Sequence, residues 1–153
     1  MLLGAFASMR DREHFRIVHF SVQSNHVHLL CEALDRSELA RAIQSLAVRI
    51  AKRLNRLWQR AGQLFADRYH DRILRTPREV RNALAYVLNN AVHHGVRLAE
   101  GEPDPFSSGC WFEGWRGRVR AIEHPPDPLS RARTWLLSIG WSRHGPIELA
   151  VPC

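Results

Sequence analysis

Two histidines, two residues apart in Ser24-Asn25-His26-Val27-His28-Leu29-Leu30, are the first residues of this 153-residue chain whose type and spacing suggest chemistry. In a strand, successive side chains point to opposite faces, so His26 and His28 share one face and Val27 and Leu29 the other. Two neutral imidazoles on one face can ligate a single metal ion. A second polar set lies in Ala85-Tyr86-Val87-Leu88-Asn89-Asn90. Residues three and four apart share a helical face, which aligns Asn82, Tyr86, Asn90 and His93 or His94. If that line faces the histidine strand, three metal-ligating groups (His26, His28, Asn90) meet one phenol. Two imidazoles and an amide oxygen leave open positions on a divalent ion for phosphate oxygens. The ion would polarise a phosphodiester for in-line attack, with Tyr86 as covalent nucleophile and a phosphotyrosine as product. Each residue alone has an ordinary explanation. With nine histidines a His-x-His pair arises readily by chance, and Tyr86 and Asn90 also suit a core edge and a helix end.

The elements that must position these groups follow from pattern. Met1 to Arg12 reads as the remainder of a helix, with Leu2, Leu3, Phe6 and Met9 near helical spacing. His14 to Val22 is rich in β-branched and aromatic residues and reads as a strand. A polar turn at Gln23-Ser24-Asn25 joins it to the histidine strand, which runs to about Ala33 as the second arm of an antiparallel hairpin. Ser37 to Arg60 is an amphipathic helix on Leu39, Ile43, Leu46, Ile50, Leu54 and Leu57. After Gly62, Leu64 to Leu74 reads as a third strand. Thr76, Pro77 and Glu79 form a helix start with a capping box, and that helix should run through Val80, Leu84, Val87 and Ala91 and stop before Gly95.

From Val96 onward the composition changes, with seven of the eight prolines and four of the five tryptophans. We therefore divide the chain into a domain at 1–95, which starts within a helix as an N-terminally truncated domain would, and a C-terminal extension at 96–153. The extension should hold one short helix, Arg131 to Ile139, and anchor itself on its tryptophans. Trp111 and Trp115 could alternatively stack on unpaired bases.

Apolar residues make up 45% of the chain, which excludes a disordered polymer, and no apolar run reaches transmembrane length. A cytoplasmic protein with no membrane partner is expected. The net charge is +7, and Lys52 is the only lysine among 22 basic residues. Arginine grips phosphate through two parallel bonds, so a pI near 10.6 favours nucleic acid as partner. Arg49, Lys52, Arg53 and Arg56 on the long helix, with Arg68 and Arg72 beyond it, are the expected DNA contacts; a solvated basic face is the plainer alternative. Cys31, Cys110 and Cys153 form no Cys-x-x-Cys pair and read as incidental thiols. Tyr69 is a lesser nucleophile candidate, and His70-Asp71 would place its side chains on opposite strand faces.

Asn25-His26-Val27-His28-Leu29-Leu30, the amphipathic helix after it, Arg68-Tyr69-His70-Asp71 and Tyr86-Val87-Leu88-Asn89-Asn90 resemble the single-tyrosine HUH transposases. These include the small insertion-sequence (IS200-like) transposases and the REP-associated tyrosine transposases. The resemblance spans about residues 14 to 95. It implies an α+β fold, a ferredoxin-like αβ sandwich with an antiparallel sheet, here lacking its first strand. It also implies a divalent metal, Mg²⁺ or Mn²⁺, on His26 and His28, with Asn90 where the family places a third, amide ligand. Tyr86 becomes the nucleophile that forms a 5′-phosphotyrosine. The implied substrate is single-stranded DNA beside a hairpin, and a homodimer is a further expectation. The chain departs from the family in carrying Asn89-Asn90 where Asn-Pro is more usual.

Three functions are thus in competition. The first is a metal-dependent strand transferase that cleaves and rejoins single-stranded DNA through Tyr86. The alternative is a catalytically decayed protein that binds single-stranded DNA or RNA. The third is a metallo-hydrolase acting through water on His26 and His28. Only the first makes a covalent adduct, and under the third Tyr86→Phe should leave cleavage intact.

Overall fold

A hairpin with one extra residue sorts the whole chain into two sides. In the computed structural model, which describes residues 1–150, strands β1 (Phe15–Val22) and β2 (Val27–Ala33) pair antiparallel. Ile17 lies opposite Cys31 and His19 opposite Leu30, so Val18 is unpaired and forms a bulge. A bulge reverses the alternation of all residues after it. Phe20 and Val22 therefore join Phe15 and Ile17 on one side, with Val27, Leu29 and Cys31 of β2. Val18 and Leu30 face the other side.

Each side is covered by a helix whose start is written in its sequence. On the first, α1 (Leu2–Ala7) and α2 (Arg36–Leu57) close a core of Phe6, Met9, Phe15, Ile17, Phe20, Leu46 and Ile50. Asp35 caps α2 by accepting from the Glu38 amide at 2.8 Å. On the second, α3 (Pro77–Leu88) packs Val80, Leu84, Val87 and Leu88 against Val18 and Leu30. Thr76 and Glu79 complete the expected capping box. The chain then breaks at Asn89 and resumes as the single turn α4 (Asn90–His93). The fold class is α+β, as expected, with a two-stranded sheet among the described residues.

Three expectations need correction. The first helix ends at Ala7 and gives way to turns rather than reaching Arg12. The strand expected at Leu64 to Leu74 does not form, and this stretch crosses the surface without regular structure. Its alternation is broken by Asp67, Arg68, Asp71 and Arg72, so neither face offers a continuous apolar surface to bury, and no neighbouring strand accepts its amides. In the C-terminal part, α5 is only Trp135–Ser138, followed by a 3₁₀ turn at Gly140–His144.

The residues beyond α4 fill both cores and finish the sheet. Leu129 enters the first core, and Trp115, Leu137 and Ile147 enter the second. Trp115 is an anchor: it is buried, and its indole donates to the Gly109 carbonyl at 2.9 Å. Trp111 likewise packs against the first core and donates to Pro125 O at 3.1 Å. Irregular chain covers the outer edge of β1. The Val22 amide donates to Phe106 O at 2.8 Å, the Phe20 amide to Ser108 Oγ at 3.1 Å, and the Ser130 amide to Ile17 O at 3.0 Å. These bonds satisfy backbone groups that a bare edge would leave open. Cys31 and Cys110 are free thiols, and Cys153 lies outside the described residues.

Glu32 ties β2 to this region. Its carboxylate, 9% exposed, accepts from the amides of Arg133 and Thr134 and from Thr134 Oγ1 at 2.6 Å. Glu32→Ala strands these donors and should lower unfolding free energy by about 2–3 kcal/mol in urea titrations. His19, behind the sheet, bonds Ser108 Oγ at 3.1 Å and meets the edge of Phe112. Burial pulls its pKa from 6.5 down to about 4. Its contribution is complete above pH 6.5 and is lost as pH falls towards 4, because the unfolded chain takes up a proton first. The loss is at most about 3 kcal/mol, and His19→Gln should flatten that part of the stability–pH curve.

Candidate functional site

The bulge at Val18 decides which hairpin residues face α3. It turns Ser21 to that side, and Ser21 lies opposite His28 across the hairpin. His28 thus points towards α3, with Leu30 and Glu32 further along the same strand face. His26 stands just before the first residue of β2, in the turn, rather than within the strand. The two rings still meet, centroids 4.7 Å apart and nearly perpendicular.

From the helical side, Tyr86 leaves the last turn of α3 half-exposed, at 45%. Its ring stands edge-on to His28 at 5.3 Å and stacks on His93 at 5.5 Å. His94, at the end of α4, lies 5.2 Å from the His26 ring. Asn90 is fully buried, and its Nδ2 donates to Ser21 Oγ at 3.4 Å. The break at Asn89 lets Asn90 turn inward while Tyr86, one turn earlier, stays at the surface. Asn82, also on the expected polar line, is exposed and takes no part.

Two polar atoms in this cluster are buried without a hydrogen-bond partner: His28 Nε2 and Asn90 Oδ1. Buried polar groups are almost always paired, so these two atoms leave hydrogen-bonding or ligating capacity open here. The His26 Nδ1–H donates to Asn25 Oδ1 at 2.7 Å, which fixes the tautomer and leaves Nε2 with a free lone pair. Burial first, then the neighbouring His26 and His94, lower the pKa of His28 and favour the neutral ring. Among the described residues no three His, Cys, Asp or Glu side chains gather as a metal site. The donor set is two imidazole nitrogens and one amide oxygen, and these fit a divalent ion with open positions.

The break itself is held by residues that pattern reading passed over. Asn89 acts as a surrogate peptide: its Nδ2 donates to the carbonyls of Ala85 and Glu148, and its Oδ1 accepts from the Ala150 amide at 2.8 Å. Asp104, buried beneath the turn, accepts from the Ala91 amide at 3.2 Å and the Phe106 amide at 2.8 Å. Burial pushes its carboxyl up, and these two amides oppose the shift. Ser107 Oγ donates to Asp104 O at 3.0 Å. Asn25 was detectable from its position beside His26; for Asp104 and Ser107 no local signal existed.

The basic residues expected to contact DNA are dispersed. Arg49, Lys52, Arg53 and Arg56 are exposed along the second half of α2, and the Arg53 guanidinium lies against Gly4 of α1. Arg72 pairs with Glu79 at 3.1 Å, and Arg68 lies over the Tyr69 ring. Tyr69 is absent from the histidine cluster, and Asp71 pairs with Arg36 rather than with His70.

Residues 2–90, more than half of the chain, match the family model described as transposase IS200-like. No curated protein and no solved structure matches the chain. The matched stretch takes in both histidines, Tyr86 and Asn90, and the chain belongs to the IS200-like transposase family.

Proposed function

We propose that this transposase-family chain cleaves and rejoins single-stranded DNA beside a hairpin, with Tyr86 as nucleophile. The observation that carries the reading is the pair of orphaned atoms, His28 Nε2 and Asn90 Oδ1, in one cluster with the half-exposed Tyr86 ring. In the forward step Tyr86 Oη attacks phosphorus, an Oη–P bond forms and the P–O3′ bond breaks. The phenol gives up its proton and the departing 3′ oxygen gains one, so the step is balanced with no water consumed. The upstream fragment leaves with a 3′ hydroxyl and the downstream fragment remains on Tyr86 through its 5′ phosphate; a 3′ hydroxyl attacking in the reverse sense rejoins a strand and frees Tyr86.

His26, His28 and Asn90 are the residues that would hold Mg²⁺ or Mn²⁺. When bound, the ion supplies electrophilic polarisation of the phosphodiester oxygens. The chain's own contributions are distinct. Asn25 orients His26 through the Nδ1 bond, and Ser21 holds the Asn90 amide nitrogen so that its oxygen stays free. His93 stacks beneath the Tyr86 ring and limits its rotation, which keeps Oη near one position. The exposed cations of α2 (Arg49, Lys52, Arg53, Arg56), with Arg68 and Arg72, are assigned to backbone phosphates.

A labelled pool of single-stranded hairpin oligonucleotides, incubated with protein and Mn²⁺ or Mg²⁺, should yield label that migrates with the protein after denaturation. Tyr86→Phe should abolish the adduct, and His26→Ala or a chelator should do the same. A folded wild-type protein that shifts the DNA yet forms no adduct would favour the binding-only reading; an intact cleavage rate in Tyr86→Phe would favour water as nucleophile.

The metal assignment has its own readout, independent of turnover. Mn²⁺ should raise the thermal midpoint of the wild-type protein and leave that of His28→Ala unchanged. Asn25→Ala, which removes only the partner of His26, should weaken Mn²⁺ binding by about 10- to 100-fold in calorimetric titration.

A further inference from the structure

At the other end of the hairpin, five arginines converge on one crevice. We propose that this crevice is a second nucleic-acid site, one that grips the phosphodiester backbone at a distance from Tyr86. Arg10, Arg12, Arg16, Arg131 and Arg133 line an open cleft of about 410 Å³, within the size range of ligand clefts. Asp11 and Glu13 are the acidic residues in its wall. Among the described residues, neither lies within ion-pair distance of any of the five guanidinium groups.

The crevice is built from two parts of the chain far apart in sequence. Arg10 Nη1 donates to Asp127 O at 3.2 Å, and Ser130 Oγ donates back to Arg10 O at 3.2 Å. The Ser130 amide is fixed on Ile17 O, and the Arg133 amide on the Glu32 carboxylate. These bonds bring two arginine-bearing stretches together and hold them there. Like charges held in a shared cleft repel one another, and a polyanion relieves that cost. Guanidinium groups match phosphate oxygens geometrically, which makes a phosphodiester backbone the fitting occupant.

Distance separates this cleft from the proposed catalytic cluster. Arg16 pairs with Glu32, whereas Val22 pairs with Val27 beside His26. The six residue rises from Arg16 to Val22 span about 20 Å. A DNA stem or tail entering the catalytic cluster could therefore reach the arginines only if it extends past that length.

The test is fluorescence anisotropy on full-length Tyr86→Phe protein, titrated with a labelled hairpin whose stem of about 10 base pairs exceeds the span. Arg16→Gln combined with Arg131→Gln should lower affinity about tenfold and reduce the slope of log K against log salt by about 2. Arg118→Gln with Arg120→Gln removes the same charge elsewhere and should leave the slope within experimental error. Arg16→Lys with Arg131→Lys should retain most of it. An unchanged slope in the first pair overturns the proposal, as does an equal loss in the Arg118 and Arg120 pair. Should the glutamine pair fail to fold, Arg133→Gln alone should reduce the slope by about 1, and no reduction overturns the proposal. Adduct formation by protein with intact Tyr86, on a hairpin whose stem of about 4 base pairs is too short to reach the cleft, should persist in the Arg16 and Arg131 variant. That arm separates the two readings: loss of the adduct in wild type sinks the tyrosine chemistry without touching the cleft.

Discussion

One unpaired residue in a hairpin fixes the geometry on which everything else depends. Without the bulge at Val18, strict alternation would send Phe20 and Val22 to the side of α3 and Ser21 to the side of α2. Phe20 would leave the aromatic contact with Phe6, now at 4.7 Å between ring centroids. Ser21 could no longer meet Asn90, and His28 opposite it would point into the first core. The bulge therefore reconciles two demands on one strand. Its first half supplies Phe15 and Ile17 to the helix α2 core, and its second half turns polar groups towards α3.

The helical partner makes a matching compromise. An uninterrupted helix from Pro77 to His94 would keep Asn90 directly above Tyr86, equally exposed. Ending the ladder at Asn89 forfeits regular hydrogen bonds, and the Asn89 side chain recovers some of them on Ala85, Glu148 and Ala150. The gain is a buried amide oxygen facing no donor. An orphaned buried polar atom costs about 1–3 kcal/mol, so the cluster holds stability in reserve that a bound partner would return. Local rules are broken most often where function is built.

Much of this was legible in the chain itself, and the failures share one cause. A capping box announced α3, because Thr76 acts on an amide three residues away, and apolar periodicity announced α2. The hairpin was legible from β-branched and aromatic density, and the histidine–tyrosine–asparagine set from spacing. Period-two reading failed at 64–74, where composition suggested a strand but no neighbour or apolar face existed to hold one. The bulge was invisible, since Val18 fits either register until the opposite strand is known. Asp104, Ser107 and Ser108 were missed because their partners lie 13 to 89 residues away in sequence. The crevice arginines were split among a turn, the start of β1 and a proline-rich stretch, and nothing local joins them.

The covering of β1 also sets an order of events during synthesis. The Phe20 amide waits for Ser108, 88 residues later, and the Glu32 carboxylate for Thr134, 102 residues later. Contacts this remote close large loops and form slowly. As a growing chain leaves the ribosome, both histidines and Tyr86 emerge well before the segments that seal the sheet and support the turn at Asn89. A chain stopped before Ser108 would carry His26, His28 and Tyr86 on an unfinished scaffold. The hairpin thus gains its full support only once Ser108 and Thr134 have been made, well after the cluster it presents.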